Sequence, residues 1–284
     1  MTKLKRNLSK KYQAVKEYLS AQMFYLRKFS LRMFNLGFET GVLLVQIALA
    51  AVLFTAFSIF IGQAHYKYIE TKVGSNTFLI RSLPDAQKQG GATGFQIAAK
   101  SGKLFIVTNA HVCELRNKDN LINIQEKRTT GRFIPKRVLE IYPDNDLCIV
   151  EGLEGYEGLK VGSDPEVSDK LTSIGYPMGG GLHIANGRIK AFGKAEIAVD
   201  IPIAKCHGPR LYSKKIDYFF FQEEICIQKY EAVMTDLLTY PGNSGSPVVD
   251  YFGNVVGVIF ASDNNTHWGL MVPFKDLQKL LNAY

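Results

Sequence analysis

Pro241-Gly242-Asn243-Ser244-Gly245-Ser246-Pro247 is the stretch that decides how this chain is read, and Val248-Val249 follows it directly. Serine between glycines, prolines at both ends and an apolar pair behind them describe a tight turn feeding a buried strand. Gly242 and Gly245 have access to backbone angles that other residues avoid. The turn can therefore raise the Ser244 hydroxyl and aim nearby N–H groups at one point, the geometry that binds an oxyanion. Glycine–serine turns are also ordinary surface punctuation, so the motif needs partners before it carries chemistry.

Two candidate partners lie upstream. Phe105-Ile106-Val107-Thr108-Asn109-Ala110-His111-Val112-Cys113 is an apolar strand running into a small-residue turn with a histidine. Asp144-Asn145-Asp146-Leu147-Cys148-Ile149-Val150 places an aspartate at the opening of a second apolar strand. A serine hydroxyl is a nucleophile at neutral pH only with a base in reach. Histidine, with an unperturbed pKa of about 6.5, is the natural base. A carboxylate would fix its tautomer and stabilise the imidazolium. The order His111, Asp146, Ser244 is one of those in which such a triad is built. Each residue alone has a plainer reading: a structural histidine, a strand-opening aspartate with Asp144 as rival, a surface turn. His65, His183, His207 and His267 have no comparable context.

Together, Thr108-Asn109-Ala110-His111, Asp146-Leu147 and Gly242-Asn243-Ser244-Gly245 resemble the three signature blocks of trypsin-like serine proteases. The version with Asn243 is most similar to the HtrA/Deg branch. Gly94-Phe95 with Gly102-Lys103, Leu159-Lys160-Val161-Gly162, Ile174-Gly175-Tyr176-Pro177, Thr235-Asp236 and Gly269-Leu270-Met271-Val272-Pro273 also fit that family. The resemblance covers roughly residues 88–278 and is poor over 200–230. It implies an all-β fold of two six-stranded antiparallel barrels, chymotrypsin-like, with the active site between them. It implies a serine endopeptidase with His111, Asp146 and Ser244 catalytic and the N–H groups of Gly242 and Ser244 as oxyanion hole. Leu238 would floor the first specificity pocket, and Ile259, Phe260 and Ala261 would pair with substrate backbone. An uncharged floor favours a small or medium apolar residue before the scissile bond. No cofactor and no metal are implied.

The chain departs from the pattern in three places. Pancreatic-type relatives carry an aspartate before the nucleophile that pairs with a freed N-terminus; Asn243 makes that activation unavailable. Ser246 stands where HtrA relatives usually have glycine. No stretch is left over for a PDZ domain.

Cys113, Cys148, Cys206 and Cys226 allow three pairings. If the triad implied by the resemblance assembles, Cys113 pairs with Cys148, because each lies two residues past a triad member. Cys206 then pairs with Cys226 across the 200–230 stretch. Buried free thiols are the alternative. Zinc fits poorly, because the cysteines lack paired short spacing.

The net charge of +8 over 284 residues suggests nucleic acid until it is localised. Residues 1–37 hold nine basic groups and one acid, Glu17, so the rest of the chain is neutral overall. The charge belongs to a tail, and the folded part offers no field for nucleic acid. Tyr12, Val15, Leu19, Met23, Leu26 and Met33 recur there at helical spacing. That suits either a helix lying on anionic lipid or an ordinary cytoplasmic tail.

Gly41 to Gly62 is 22 residues without a charge, thirteen of them Val, Leu, Ile or Phe. At about 1.5 Å per residue it spans roughly 33 Å, the thickness of a hydrocarbon core. Thirteen such residues favour insertion by about 4–8 kcal/mol. A cleaved signal peptide would have a shorter apolar run nearer the start. Basic residues crowd before the span, and only Lys67, Lys72 and Arg81 fall in the twenty after it. The positive-inside rule then puts the N-terminus in the cytoplasm and the remainder outside it.

The expected organisation is a basic cytoplasmic tail (1–40), a transmembrane signal anchor (41–62), a stalk (63–87) running into a first strand, Thr77-Phe78-Leu79-Ile80, and a protease domain (88–284). Short apolar runs between turn residues fill the last part, Leu104–Thr108, Leu147–Val150, Gly187–Ala191 and Ala195–Val199 among them, and Leu277, Leu280 and Leu281 suggest a closing amphipathic helix. Gly90 to Gly94 reads as a flexible turn. Tyr218-Phe219-Phe220-Phe221 in the 200–230 stretch reads as a strand, a pocket wall or a partner surface. The partners expected are polypeptide substrates and, through 41–62, membrane lipid, and no nucleic acid. The rival from another class is an anchored, catalytically silent module that binds peptides in the same cleft.

Overall fold

The computed structural model describes residues 17, 20–29, 38–99, 101–125, 131–199, 201–217, 222–263 and 266–284. They fall into two compact units, Met1–Lys67 and Tyr68–Tyr284.

In the first unit residues 20–29 are helical. Met23 and Leu26 of the amphipathic pattern lie on that helix; Tyr12, Val15, Leu19 and Met33 lie outside the described residues. A single helix, Phe38–Lys72, holds the uncharged stretch. It is long and apolar enough to cross a membrane. Leu53, Phe54, Phe57 and Phe60 on it are 61, 71, 63 and 65% exposed. Thr55 and Ser58 donate their hydroxyls to the carbonyls of Ala51 and Phe54, at 2.7 and 2.8 Å. These two hydroxyls are thus satisfied within the helix, which lowers their cost in hydrocarbon.

In the second unit, β1 (Thr77–Arg81), β2 (Gly91–Ala98), β3 (Leu104–Thr108), β4 (Leu121–Gln125), β5 (Phe133–Tyr142) and β6 (Leu147–Glu151) close a six-stranded antiparallel barrel in the order β1-β2-β3-β6-β5-β4. Alternate residues such as Ile80, Ile106, Ile122, Ile124, Cys148 and Val150 fill its interior. Such a ring leaves no unpaired edge.

The first strand expected at Thr77–Ile80 is present as β1, and the residues just before it are docked on the barrels. β1 pairs with β2 from Thr77↔Phe95 to Arg81↔Gly91 and with β4. Just before it, Ile69 and Val73 are buried in the main core. Gly90 to Gly94 is likewise no free turn: β2 begins at Gly91, and Ala92, Thr93 and Gly94 are buried. Glycines hid this strand because they carry no side chain for the alternation to show.

The second sheet contains β7 (Lys170–Gly175), β8 (His183–Val199), β9 (Leu211–Asp217), β10 (Gln222–Leu238), β11 (Pro247–Val249), β12 (Val255–Ser262) and β13 (Trp268–Val272). Its order is β13-β12-β11-β7-β8-β10-β9, and β10 also pairs with β13. Six strands therefore close a ring, as expected, and β9 is a seventh outside it. β8 and β10 are each 17 residues long. Their far halves run past the ring, and β9 pairs there with Gln222–Gln228 of β10. The extension is the 200–230 stretch that no family pattern explained; Tyr218 to Phe221 lie outside the described residues.

Phe95, Phe105, Leu147 and Ile149 from the first barrel share one buried cluster with Val249, Val255, Val258 and Val272 from the second. The C-terminal helix Phe274–Leu281 adds Leu277, Leu280 and Leu281 to that cluster, one face at helical spacing.

Candidate active site

Strand register brings the histidine and the aspartate together. β3 and β6 pair at Thr108↔Cys148. His111 sits three residues past the end of β3, on the short helix Ala110–Cys113. Asp146 sits just before β6, where it ends the turn Pro143–Asn145 with φ 49° and ψ 46°. Aspartate tolerates that left-handed conformation better than most residues. The disulfide Cys113–Cys148, with Cα atoms 6.5 Å apart, ties the histidine turn to the aspartate strand. The other two cysteines are joined as Cys206–Cys226.

Asp146 engages His111 twice. Its Oδ2 lies 2.8 Å from His111 Nδ1, and its Oδ1 accepts the His111 backbone N–H at 3.0 Å. Asn109 Nδ2 donates to the Asp146 carbonyl at 2.8 Å. The aspartate side chain is 5% exposed and the histidine side chain 47%. An ionised carboxylate only accepts, so Nδ1 carries the proton and the neutral ring keeps its lone pair on Nε2. Asp144, the rival aspartate, lies exposed on the same turn, and none of the described hydrogen bonds joins it to His111.

Ser244 arrives from the second barrel, on the turn between β10 and β11. Thr93 of β2 holds that turn. Its N–H donates to the Ser244 carbonyl at 2.9 Å, and its Oγ1 donates to the Gly242 carbonyl at 2.8 Å. The same Oγ1 accepts the Tyr176 N–H at 2.9 Å, and the Thr93 carbonyl accepts Thr108 Oγ1 at 2.8 Å. Thr108 is three residues before His111, so two hydrogen bonds in series, Ser244–Thr93 and Thr93–Thr108, link the serine turn to the histidine turn. Gly245, at φ +83°, has no room for a Cβ, which would lie 1.9 Å from the Thr93 carbonyl oxygen. At Gly242, φ +96°, a Cβ would lie 2.6 Å from the Tyr176 carbonyl oxygen and 2.7 Å from the Met178 nitrogen. Both glycines are required by close backbone approach as well as by φ.

The Gly245 N–H donates to the Ile259 carbonyl at 2.8 Å, and the Ser246 carbonyl accepts the Ile259 N–H at 3.0 Å. Among the described residues, neither the Gly242 nor the Ser244 N–H donates a hydrogen bond, and none joins Ser244 Oγ to the His111 ring.

The remaining sequence candidates stand around this turn. Leu238, at the end of β10, is 47% exposed and pairs with Trp268. Ile259 spends its backbone on the serine turn, Phe260 is buried with its ring 5.4 Å from that of Tyr230, and Ala261 is half-buried. Thr93 was missed in the sequence. Its signal was a lone threonine between Ala92 and Gly94, ahead of the apolar run from Phe95.

A model described as trypsin-like peptidase domain matches residues 92–258, more than half of the chain and all three residues of the candidate triad. The chain belongs to the trypsin-like peptidase domain family. Among curated relatives of this trypsin-like chain, Protease Do-like 2, chloroplastic, of Arabidopsis thaliana is 24% identical over 72% of it and 30% of the relative. Putative serine protease HhoB of Synechocystis is 25% identical over 62% and 35%. A probable periplasmic serine endoprotease, DegP-like, of Chlamydia pneumoniae is 25% identical over 63% and 30%. The chain spans about a third of the length of these relatives. Among solved structures, the active form of the Rv3671c protease from M. tuberculosis superposes with a TM-score of 0.56. It is 19% identical, with 75% of this chain and 82% of that one covered. The HtrA-type protease AlgW with tripeptide gives a TM-score of 0.55 at 18% identity, over 77% and 62%. At those identities the superpositions establish the shared double-barrel fold.

Proposed function

We propose that this protein is a membrane-anchored serine endopeptidase that works through His111, Asp146 and Ser244. The observation that carries the reading is the two-point grip of Asp146 on His111, whose turn is linked to the Ser244 turn by two hydrogen bonds in series through Thr93 and Thr108. Ser244 Oγ attacks the scissile carbonyl while His111 Nε2 takes its proton. Asp146 holds the Nδ1–H and stabilises the imidazolium. The N–H groups of Gly242 and Ser244 receive the oxyanion. His111 then protonates the leaving amine, and water cleaves the acyl-enzyme by the same route in reverse. The gap between Ser244 and His111 closes on substrate binding, as catalytic hydrogen bonds of unliganded enzymes commonly do.

Leu238 forms an uncharged first pocket, and the substrate backbone lies along Phe260–Ala261, beyond the part of β12 that Ile259 gives to the serine turn. Peptides with a small or medium apolar residue before the scissile bond are the preferred class. The helix Phe38–Lys72 anchors the chain with its basic tail in the cytoplasm and the barrels outside it. Two disulfides suit such an oxidising compartment. Envelope or exported proteins are the substrates that this placement makes available, a setting shared with the periplasmic relative from Chlamydia.

The missing Ser244–His111 hydrogen bond is also what a silent peptide-binding cleft would show. Hydrolysis of an unfolded protein by the purified full chain in detergent separates the two. The triad reading expects cleavage that Ser244→Ala and His111→Ala each abolish, a loss on the order of 10⁶ in turnover. Binding without cleavage would leave the silent module standing.

A further inference from the structure

The extension of the second barrel reaches the turn that presents Asp146. Arg210, one residue before β9, donates from Nη1 to the Asp144 carbonyl. Gln228 of β10 donates from Nε2 to the Pro143 carbonyl at 3.3 Å. The two donors are held to each other: the Lys229 N–H donates to the Arg210 carbonyl at 2.8 Å, and Leu211 pairs with Gln228. At the base, Cys206 and Cys226 are buried and bonded. Pro143, whose carbonyl Gln228 takes, also accepts the Asp146 N–H. Tyr230, two residues along β10, packs on Phe260 and feels Asp146 directly: burial first, then the negative charges of Asp146, Glu114 and Asp144, raise its phenol well above the ordinary range.

Asn109 and the two bonds to His111 hold Asp146 itself, and the clasp holds the turn ahead of it. Pro143 and Asp144 are exposed, and Asp146 keeps a left-handed backbone. His111 and Asp146 belong to the first barrel, and Ser244 to the second. The clasp is a second tie between the barrels, on the aspartate side, beside the one that Thr93 makes to the serine turn.

We infer that Arg210, seconded by Gln228, is a positioning residue for the peptidase reaction: it acts through the Asp144 carbonyl to hold Asp146, and with it His111, in register with Ser244. This rests on the triad reading. The guanidinium suits the task, because it is always charged and offers a fixed fork of donors to carbonyl oxygens. Small misplacement far from the reacting atoms costs roughly tenfold to a hundredfold in rate.

The test is a double-mutant cycle on the full chain in detergent, read by steady-state hydrolysis of a fluorogenic peptide with an apolar residue before the cut. Arg210→Ala lowers kcat roughly tenfold to a hundredfold with KM nearly unchanged. Arg210→Lys recovers part of the loss, and Gln228→Ala loses less than Arg210→Ala. In an Asp146→Asn background, Arg210→Ala costs almost nothing further, because the residue it positions no longer acts. If Arg210→Ala fails to fold, Arg210→Lys and Gln228→Ala are carried through the same cycle. Unchanged kcat in the single variants overturns the inference, and so does an equal further loss in the Asp146→Asn background. A wild-type chain that neither cleaves peptide nor acylates Ser244 would instead bring down the triad, and the clasp with it.

Discussion

Thr93 makes the sharpest demand at the scale of single residues. One hydroxyl both donates to the Gly242 carbonyl and accepts the Tyr176 N–H. Thr93→Val keeps the shape and strands two polar groups, at about 1–3 kcal/mol each where buried. The variant melts earlier and loses activity, while Thr93→Ser recovers most of both; equal melting of Thr93→Val and wild type would contradict this role. Gly245→Ala meets a harder obstacle, a Cβ placed 1.9 Å from a backbone oxygen at a positive φ. It should lower the midpoint of thermal unfolding sharply and abolish turnover together. Asp146→Asn preserves packing but presents an amide to Nδ1 and fixes the wrong tautomer. Its turnover falls on the order of 10⁴-fold with the fold intact by circular dichroism. These residues were unequally legible. His111, Asp146 and Ser244 stand in short, characteristic blocks, whereas Thr93 acts through one hydroxyl in an otherwise apolar strand and leaves no pattern.

At the scale of elements, legibility followed burial. Strands that fill the shared core, such as Leu104–Thr108 and Leu147–Glu151, show apolar runs because their side chains must be apolar. β9 is exposed or half-exposed throughout and is held by backbone pairing to β10. Nothing in its side chains had to announce a strand. β8 was legible as two runs, Gly187–Ala191 and Ala195–Val199, because exposed Phe192 and Gly193 interrupt the alternation of a continuous strand. The pairing of β8 with β10 also carries an electrostatic seam. Burial works against ionisation of Asp236, but Lys190 and the Arg188 N–H outweigh it and hold the carboxyl below its ordinary range. A depressed acid contributes stability above its unfolded pKa and loses it as pH falls through the folded one. Asp236→Asn should therefore reduce the acid-induced drop in melting temperature below the ordinary carboxylate range, while differing less from wild type in strong acid than at neutral pH. A parallel acid response in the two proteins would show that the seam is idle.

At the scale of the whole molecule, the boundary of the folded unit is a direct prediction. A chain begun at Tyr68 keeps Ile69, Val73 and β1 and should be soluble and cooperatively folded. A chain begun at residue 88 opens the first barrel between β2 and β4 and exposes its core; it should aggregate or remain unfolded by circular dichroism. Equal folding of the two would contradict the role given to β1. The all-β class was legible because strands leave short apolar runs between turn residues, and the two barrels were implied by the resemblance that the three motif blocks carry. Thr77–Ile80 was legible as a first strand, but the docking of Ile69 and Val73 was not, because the end of a long helix looks, in sequence, like a tether. The apolar span itself was plain, since an uncharged run of that length has few other uses.

The measurement that tests the central claim most directly is the reaction of the purified full chain with a fluorophosphonate probe, mapped by mass spectrometry. The account predicts one adduct, on Ser244, formed far more slowly in His111→Ala and absent in Ser244→Ala. A well-folded chain that stays unlabelled at Ser244, or that labels equally fast without His111, would contradict it.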